Sequence, residues 1–146
     1  MHVRVQQQAF DAAAEVAAHA PAGAGAGAAV QFVGTMRDVN DGDGVVRMEL
    51  EHYPGMTERE LERVTAEAMA RWAVAEALVI HRFGELLPGD PIVLVAVWSA
   101  HRGDAFDACR HIIDILKTKA PFWKKETLAD GSQRWVEPHL GEGVPG

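Results

Sequence analysis

Residues 76–100, EALVIHRFGELLPGDPIVLVAVWSA, determine the architecture that the rest of the chain completes. Two apolar, β-rich segments flank Pro88-Gly89, a pair that is typical of a type II turn. The second segment, 90–100, is apolar without alternation, which favours a position in the middle of a sheet. We therefore expect two paired strands at the centre of the fold.

Further strands are predicted on both sides of this pair. HVRV (2–5) has the pattern of a short edge strand. AVQFVGTMR (29–37) and VVRMELEHY (45–53) are predicted to pair as a hairpin with a long, mobile connection, because DVNDGDG lies between them. FWKKETL and QRWVEP, separated by a DG-containing turn, predict a closing hairpin.

Three helices are expected between these strands. The first, FDAAAEVAAHA, has Asp11 near its start and is followed by a Gly/Ala-rich connector at about 21–28, which we expect to be flexible. The third, 101–121, ends where Pro121 prevents continuation, and one apolar stripe lies along it. That stripe consists of Phe106, Cys109, Ile113 and Leu116.

The second helix, PGMTERELERVTAEAMARWA (54–73), has the clearest signals. Thr57 and Glu60 match a capping box, and Met56 and Leu61 match a hydrophobic staple. Its apolar face is predicted from helical spacing to contain Leu61, Val64, Ala68 and Trp72. The resulting order, β-α-ββ-α-ββ-α-ββ, predicts an α+β fold with a mostly antiparallel sheet and three helices, formed by residues 1–146 as a single domain.

Composition limits the functional classes. The formal net charge of −7 and the pI of about 5.4 disfavour binding to nucleic acid or to an anionic membrane. No apolar run reaches membrane-spanning length, and the start of the chain lacks a signal-peptide pattern, so a cytoplasmic protein is expected. The one cysteine, Cys109, is predicted to be a buried hydrophobe, and the histidine spacings do not favour a metal site. No cofactor is expected.

The cationic residues are unevenly distributed. Lys117, Lys119, Lys124 and Lys125 are the only lysines, and all lie in LKTKAPFWKKE (116–126), whereas arginine supplies the other positive charges. One explanation of this cluster is structural. Lys117 and Lys119 would lie at a helix C-terminus, where the helix dipole favours cations, and Lys124 and Lys125 would lie on opposite faces of a solvated edge strand. A functional explanation is that an amine, unlike a guanidinium, can act as a base or nucleophile beside the apolar Pro121–Trp123 segment.

A second candidate anion site lies at Ser99-Ala100-His101-Arg102, where a strand ends and a helix begins. Backbone N–H groups at such a junction commonly hold anions, with His101 as an acid or base and Arg102 as a phosphate clamp. The alternative is a histidine that caps the turn and a solvated arginine, and the residues alone leave both open. Arg37 is predicted at the end of a strand, and this position alone indicates an ordinary surface arginine.

FVGTMRD, LEHYPGM, VIHRFGELLPGD, VAVWSAHR, LKTKAPFWKKE and RWVE together resemble the catalytic (large) subunits of molybdopterin synthase, over about residues 28–138. The resemblance implies an α/β-hammerhead fold and a homodimer within a heterotetramer, in which each protomer binds a small ubiquitin-like sulfur carrier through its Gly-Gly thiocarboxylate. It further implies a sulfurtransferase that inserts two sulfurs into cyclic pyranopterin monophosphate (precursor Z) to form the molybdopterin dithiolene.

Matching the motifs residue by residue places the family's functional positions in this chain. Lys117 and Lys124 correspond to the essential lysines, whereas Lys119 and Lys125 match positions where arginine is accepted. The resemblance implies these substrate-binding residues: Thr35, Met36, Arg37, His101, Arg102, Lys117, Lys124, Lys125 and Glu126. The connector at 21–28 and the short tail at 139–146 depart from the family pattern.

Three alternative functions use the same residues. A regulatory module could bind a nucleotide or phosphate through the lysines and His101-Arg102. An interaction protein could use its Phe122-Trp123 segment as a docking edge. An enzyme of another class could form a Schiff base with a lysine. None of the three accounts for the whole set of motifs.

Overall fold

The computed structural model describes residues 1–119 and 121–136, so the predicted tail at 139–146 lies outside the described residues. Within them, twelve elements follow the order β-α-βββ-α-βββ-α-ββ, which adds two short strands to the predicted order. The helices are α1 (Ala12–His19), α2 (Met56–Arg71) and α3 (Arg102–Thr118). The strands are β1 (His2–Gln6), β2 (Ala28–Thr35), β3 (Val39–Asn40), β4 (Asp43–His52), β5 (Val74–Arg82), β6 (Gly84–Leu86), β7 (Pro91–Ser99), β8 (Phe122–Leu128) and β9 (Gln133–Val136).

The strands form two sheets. The first has the order β1-β5-β7-β2, with β1 at an edge and parallel to β5, and its other pairs are antiparallel. The second has the order β3-β4-β8-β9, with β6 also paired to β4, and all its pairs are antiparallel. Three helices with mostly antiparallel sheets confirm the predicted α+β class.

The central strand pair is confirmed. β5 and β7 are the two inner strands of the first sheet, and Val79, Leu94 and Val95 are fully buried. Gly89 has a φ of 90°, and the Asp90 N–H donates to the Leu87 carbonyl oxygen at 2.9 Å, as a type II turn requires. Burial on both faces of the sheet explains why β7 is apolar without alternation.

The predicted pairing of residues 29–37 with 45–53 is wrong. β2 pairs with β7 of the first sheet, whereas β4 pairs with β8, β6 and β3 of the second. The predicted long loop is also wrong, because β3 and β4 form a tight hairpin around Asp41-Gly42, whose φ values are 52° and 81°. Two successive positive φ values are what a two-residue type I′ turn needs, and Asp-Gly supplies them.

The start of α2 differs from the prediction. Helix α2 begins at Met56, and the Glu58 carboxylate accepts from the Gly55 backbone N–H at 2.7 Å, so the predicted capping box of Thr57 and Glu60 is wrong. Thr57 is buried instead and donates its hydroxyl to the Tyr53 carbonyl oxygen. Met56 is 45% exposed, which also contradicts the staple. The cause is that the chain turns at Gly55, two residues earlier than the Thr57 signal indicates.

The buried faces of the helices follow the predictions in part. Leu61, Val64 and Ala68 of α2 are buried as expected, and Trp72 lies just beyond the helix, partly buried against the core. Asp11 caps α1 by accepting from the Ala14 N–H. No helix in the described residues is both long and apolar enough to cross a membrane.

Helix α3 packs on β7 and β2, but its buried face is rotated from the prediction. Phe106 is 60% exposed, so its assignment to the apolar stripe is wrong. The buried residues of α3 are Ala105, Ala108, Cys109 and Ile112. Small alanine side chains allow the helix to approach the sheet closely, and this turns Phe106 outward.

The Gly/Ala connector joins α1 to β2 and includes one close backbone contact. A Cβ atom on Gly27 would lie 2.5 Å from the carbonyl oxygen of Ala100, which is shorter than any normal contact. Glycine is therefore required where the connector passes the segment that joins β7 to α3.

Candidate active site

Arg37 lies at the end of β2, beside the Pro88-Gly89 turn. The Met36 N–H donates to the Asp90 carbonyl oxygen at 2.9 Å, and the Gly89 N–H donates to the Met36 carbonyl oxygen at 2.8 Å. The Met36 side chain is only 5% exposed and belongs to the core, whereas Thr35 and Arg37 are exposed. Met36 therefore anchors the strand end, and Arg37 lines a surface recess of about 600 Å³.

Lys124 and Glu126 lie on the same face of β8. Glu126 is only 3% exposed, and both of its oxygens have partners: Oε2 accepts from Asn40 Nδ2 and Oε1 accepts from Arg134 Nε, each at 2.9 Å. Lys124 Nζ lies 3.9 Å from Glu126 Oε2. Because Asn40 follows Arg37 by three residues, this carboxylate joins the chain segment that carries Arg37 to the strand that carries Lys124.

Arg134 completes this cluster from β9, where it pairs with Glu126 across the strands. Its Nη2 donates to the Asn40 carbonyl oxygen and its Nη1 donates to Asp43 Oδ2, both at 3.0 Å. The hydrogen bond to Glu126, followed by that to Asp43, raises the pKa of Arg134. Sequence reasoning missed Asn40 and Arg134, and the only signal for Arg134 was its register in the predicted closing hairpin.

Lys125 lies on the opposite face of β8, as predicted. Its Nζ is 3.8 Å from Glu49 Oε2 and 5.5 Å from the centre of the Trp135 ring. An ammonium group at that distance from an aromatic face gains a weak cation–π attraction. Lys125 is therefore separated by the sheet from Lys124 and Glu126.

Lys117 lies in the last turn of α3, which confirms its predicted position, and its side chain is exposed. Lys119 is the C-cap residue, and its N–H donates to the Ile115 carbonyl oxygen at 2.8 Å. Because α3 packs back along β7 and β2, its C-terminus returns toward the end of the sheet where Arg37 lies. The chain then enters β8, whose third residue is Lys124.

His101 and Arg102 lie at the opposite end of the first sheet. β7 ends at Ser99, His101 is the N-cap residue of α3 without a capping hydrogen bond from its side chain, and both His101 and Arg102 are exposed. The register of β2 on β7 pairs Ala28 with Ser99 and Thr35 with Pro91. At about 3.3 Å per residue, the two ends of β7 are roughly 26 Å apart.

The structure therefore separates the predicted site residues into two groups. One end of the fold carries Arg37, Lys124 and Glu126, and α3 brings Lys117 toward it. The other end carries His101 and Arg102. Since one phosphate group is only a few ångströms across, it cannot contact both groups within one protomer.

Two buried side chains whose pKa values are strongly shifted, His81 and Cys109, lie outside both groups. Burial is the main cause that lowers the pKa of His81 to about 4, and the nearby His52 also lowers it. The hydrogen bond of His81 to the Arg82 carbonyl oxygen raises the pKa, but by less than burial lowers it. The His81 ring stacks on Phe122 with a centroid distance of 3.8 Å. Burial raises the pKa of the Cys109 thiol to about 11, which agrees with the predicted buried hydrophobe. Residues 1–119 and 121–136 contain no cluster of three or more His, Cys, Asp or Glu side chains that could hold a metal ion.

Comparison with known proteins assigns the chain to a family. Residues 5–119 match the family model described as MoaE protein. A molybdopterin synthase catalytic subunit from Ralstonia nicotianae is 57% identical over 138 residues, which cover 94% of this chain and 78% of that protein. The solved structure of the molybdopterin biosynthesis MoaE protein from Burkholderia ambifaria is 50% identical, with a TM-score of 0.82, and the match covers 97% of this chain and 92% of that one.

A more distant structure shares the fold. The complex of subunits 1 and 2 of molybdopterin-converting factor from Helicobacter pylori contains a chain that is 19% identical, with a TM-score of 0.72, and the match covers 94% of this chain and 92% of that one. The family model covers residues 5–119, and the match to the Ralstonia nicotianae subunit covers 94% of the chain. This chain belongs to the MoaE family of molybdopterin synthase catalytic subunits.

Proposed function

We propose that this chain is the catalytic subunit of a molybdopterin synthase in molybdenum cofactor biosynthesis, acting as a sulfurtransferase. It transfers two sulfurs from thiocarboxylated carrier subunits to cyclic pyranopterin monophosphate, precursor Z, to form the dithiolene of molybdopterin. The observation that carries the proposal is the cluster in which Glu126 joins the Arg37 segment to Lys124. The cluster joins two cations, Arg37 and Lys124, that suit a phosphorylated substrate, on a chain whose net charge is −7.

Each predicted residue has a role in this reaction. Arg37 binds the phosphate or pterin at the exposed end of β2, next to Thr35 and the backbone of Met36. Lys124 and Lys117 orient and polarise the thiocarboxylate, and they move protons during sulfur transfer and hydrolysis of the acyl intermediate. From a buried position, Glu126 fixes the chain segment that carries Arg37 beside Lys124. Lys125 contributes positive charge from the opposite face of the sheet, where its Glu49 and Trp135 contacts separate it from Lys124.

His101 and Arg102 complete the pocket from a second protomer. Within one chain they are roughly 26 Å of strand away from the Arg37 end of the sheet. Both residues are exposed, so a neighbouring copy can present them to the Arg37 group of its partner. In a symmetric dimer this arrangement forms two identical pockets, each with residues from both chains.

The sulfur donor is a small ubiquitin-like carrier that inserts its C-terminal Gly-Gly thiocarboxylate into this pocket. The two-subunit complex of the Helicobacter pylori converting factor supports a small-subunit partner for this fold. A cytoplasmic setting fits a reaction that consumes soluble protein and a phosphorylated pterin. Neither nucleic acid, membrane nor a bound metal or organic cofactor has a part in the proposed reaction.

A reconstituted assay with precursor Z and thiocarboxylated carrier tests this function. Wild type should form the dithiolene product, and Lys117→Ala should form almost none. Lys117→Arg should also lose most activity, because a guanidinium keeps the charge but cannot move a proton near neutral pH. Lys119→Arg is the matched control, since that side chain is exposed at the C-cap two residues away, and it should retain activity.

Two outcomes would contradict the proposal. Absence of product from folded wild type bound to the carrier would leave a binding module as the better description. Full activity of Lys117→Arg would mean that Lys117 supplies charge alone, and the proton-transfer role would be withdrawn. A circular dichroism spectrum and a carrier-binding measurement on each variant separate these results from misfolding.

A further inference from the structure

We propose that Arg134 is a positioning residue. Its guanidinium donates a hydrogen bond to the Glu126 carboxylate, so that the Lys124 amine stays available to substrate. The inference rests on the proposed function for its activity measurement, but its geometric basis is independent of the reaction. Nothing in the motif resemblance assigned a role to Arg134. Its contacts make it the link between the strand of Lys124 and the hairpin that follows Arg37.

Glu126 needs strong partners because it is almost fully buried. A carboxylate that is removed from water is costly unless hydrogen bonds and opposite charges compensate. Arg134 Nε donates to Oε1 and Asn40 Nδ2 donates to Oε2, each at 2.9 Å. Lys124 Nζ, at 3.9 Å from Oε2, is within range for electrostatic attraction but beyond hydrogen-bonding distance.

This arrangement leaves Lys124 as the cation that Glu126 does not hold tightly. The Lys124 side chain is 35% exposed and has a flexible four-carbon stem, so a shift of about 1 Å would bring its amine into hydrogen-bonding distance of the carboxylate. Loss of the Arg134 guanidinium would leave Oε1 buried without a donor. The Lys124 ammonium would then move onto Glu126 and be withdrawn from the substrate.

Arg134 also fixes the second half of the cluster. Its Nη2 donates to the carbonyl oxygen of Asn40, whose side chain holds the other oxygen of Glu126. The three residues form a closed ring of hydrogen bonds across β3, β8 and β9. A single guanidinium therefore determines both the position of Lys124 and that of the hairpin adjoining Arg37.

A matched set of variants isolates this role. Arg134→Gln and Arg134→Met remove the guanidinium, and the second keeps most of the apolar stem in case the first folds poorly. Asp43→Asn is the control, because it removes the negative charge of the exposed partner of Arg134 Nη1 while leaving the bond to Glu126. The double variant Glu126→Gln/Arg134→Gln removes the carboxylate that would capture Lys124 and replaces the ion pair with two amides.

The direct measurement is the reactivity of the Lys124 amine toward trace acetic anhydride, read by mass spectrometry with Lys119 as internal reference. Reactivity in both Arg134 variants should fall by roughly threefold to tenfold, because a new charge-assisted hydrogen bond stabilises the unreactive ammonium form. In Asp43→Asn, the reactivity of Lys124 should equal that of wild type. In the double variant, it should return toward the wild-type value. Unchanged Lys124 reactivity in a folded Arg134 variant would overturn the inference.

Product formation supplies the second measurement. Activity should fall with Arg134→Gln and be partly restored in the double variant. Because an unpaired buried Glu126 also destabilises the fold, the two variants are compared at equal folded fraction, measured by urea unfolding. Equal loss in the single and double variants would also overturn the positioning role. If wild type forms no product, the proposed function fails, while amine reactivity still decides whether Arg134 controls Lys124.

Discussion

A mixed dimer tests whether His101 and Arg102 serve the pocket of the partner chain. The perturbation combines two defective subunits, one with Arg37→Ala and the other with Arg102→Ala. If each pocket takes Arg37 from one chain and Arg102 from the other, every pocket of either homodimer lacks one arginine. In the mixed dimer, one pocket lacks both arginines, and the second keeps both.

The expected magnitudes follow from the geometry. Each arginine contributes charge-assisted hydrogen bonds to an anionic substrate, so its loss should lower kcat/KM by roughly tenfold to a hundredfold. The mixed dimer should recover about half of wild-type activity, because one of its two symmetric pockets is intact. If the pocket lay within a single protomer, each chain of the mixed dimer would carry one lesion, and activity would stay as low as in the homodimers.

The assay requires a dimer of defined composition. Co-expression with two different affinity tags and sequential purification isolate the mixed species, and dithiolene formation is measured per dimer at saturating carrier. A dimer that contains Arg37→Ala and Arg102→Ala in the same chain, paired with wild type, is the matched control, since each of its pockets then lacks one arginine. Activity of the mixed dimer no higher than that control would refute a shared pocket.

Two further predictions concern the buried titratable groups. Because burial lowers the pKa of His81 to about 4, the folded state keeps it neutral while the unfolded chain takes up a proton near pH 6.5. Its contribution to stability is therefore complete above that pH and is lost as the pH falls toward 4, by roughly 3 kcal/mol in total. The free energy of unfolding in urea should fall between pH 7 and pH 5 in wild type and fall much less in His81→Leu. An equal fall in both proteins would contradict the lowered pKa of His81. The Cys109 thiol, with a pKa of about 11, should resist Ellman's reagent at pH 8 in the folded protein and react once urea unfolds it, and rapid labelling of the folded protein would show that the site is open.

Local rules predicted the parts of the fold that depend on neighbouring residues. The Pro88-Gly89 turn, the start of the first helix near Asp11 and the closing hairpin were all found where the sequence placed them. The same holds for the opposite faces of Lys124 and Lys125, because side chains alternate along any strand. These features require only short-range geometry, so a single sequence is sufficient to predict them.

Long-range packing decided the features that were missed. β2 and β4 are neighbours in the chain, yet they belong to different sheets, because β2 covers the open side of β7. The buried face of α3 was predicted from its largest apolar residues. In the structure, Ala105 and Ala108 pack against the sheet, and Phe106 is exposed. Helical periodicity alone does not decide which of these two faces of α3 is buried, because that depends on the shape of the sheet against which the helix packs.

The site shows the same limit. Motifs located Arg37, Lys117 and Lys124, because the resemblance is carried by contiguous stretches of sequence. The bond from Asn40 to Glu126 joins residues 86 positions apart, and no local pattern indicates it. The separation of Arg37 from His101 was likewise hidden, since it depends on the antiparallel register of β2 and β7.

The concentration of lysines in residues 117–125 does not by itself identify the reacting groups. Lys125 has structural partners in Glu49 and Trp135, and Lys119 adds a small contribution to the lowering of the Glu60 pKa, most of which comes from Arg63. Those two lysines are the ones whose positions accept arginine in the resemblance, as expected where only a positive charge is needed. Lys124 lies beside a buried carboxylate that Asn40 and Arg134 already hold, and Lys117 lies in the last turn of the helix that returns toward Arg37. The contacts of Lys125 and the exposed C-cap position of Lys119 thus require only a positive charge, and Lys117 and Lys124 are the lysines for which amine chemistry gives a reason to prefer lysine over arginine.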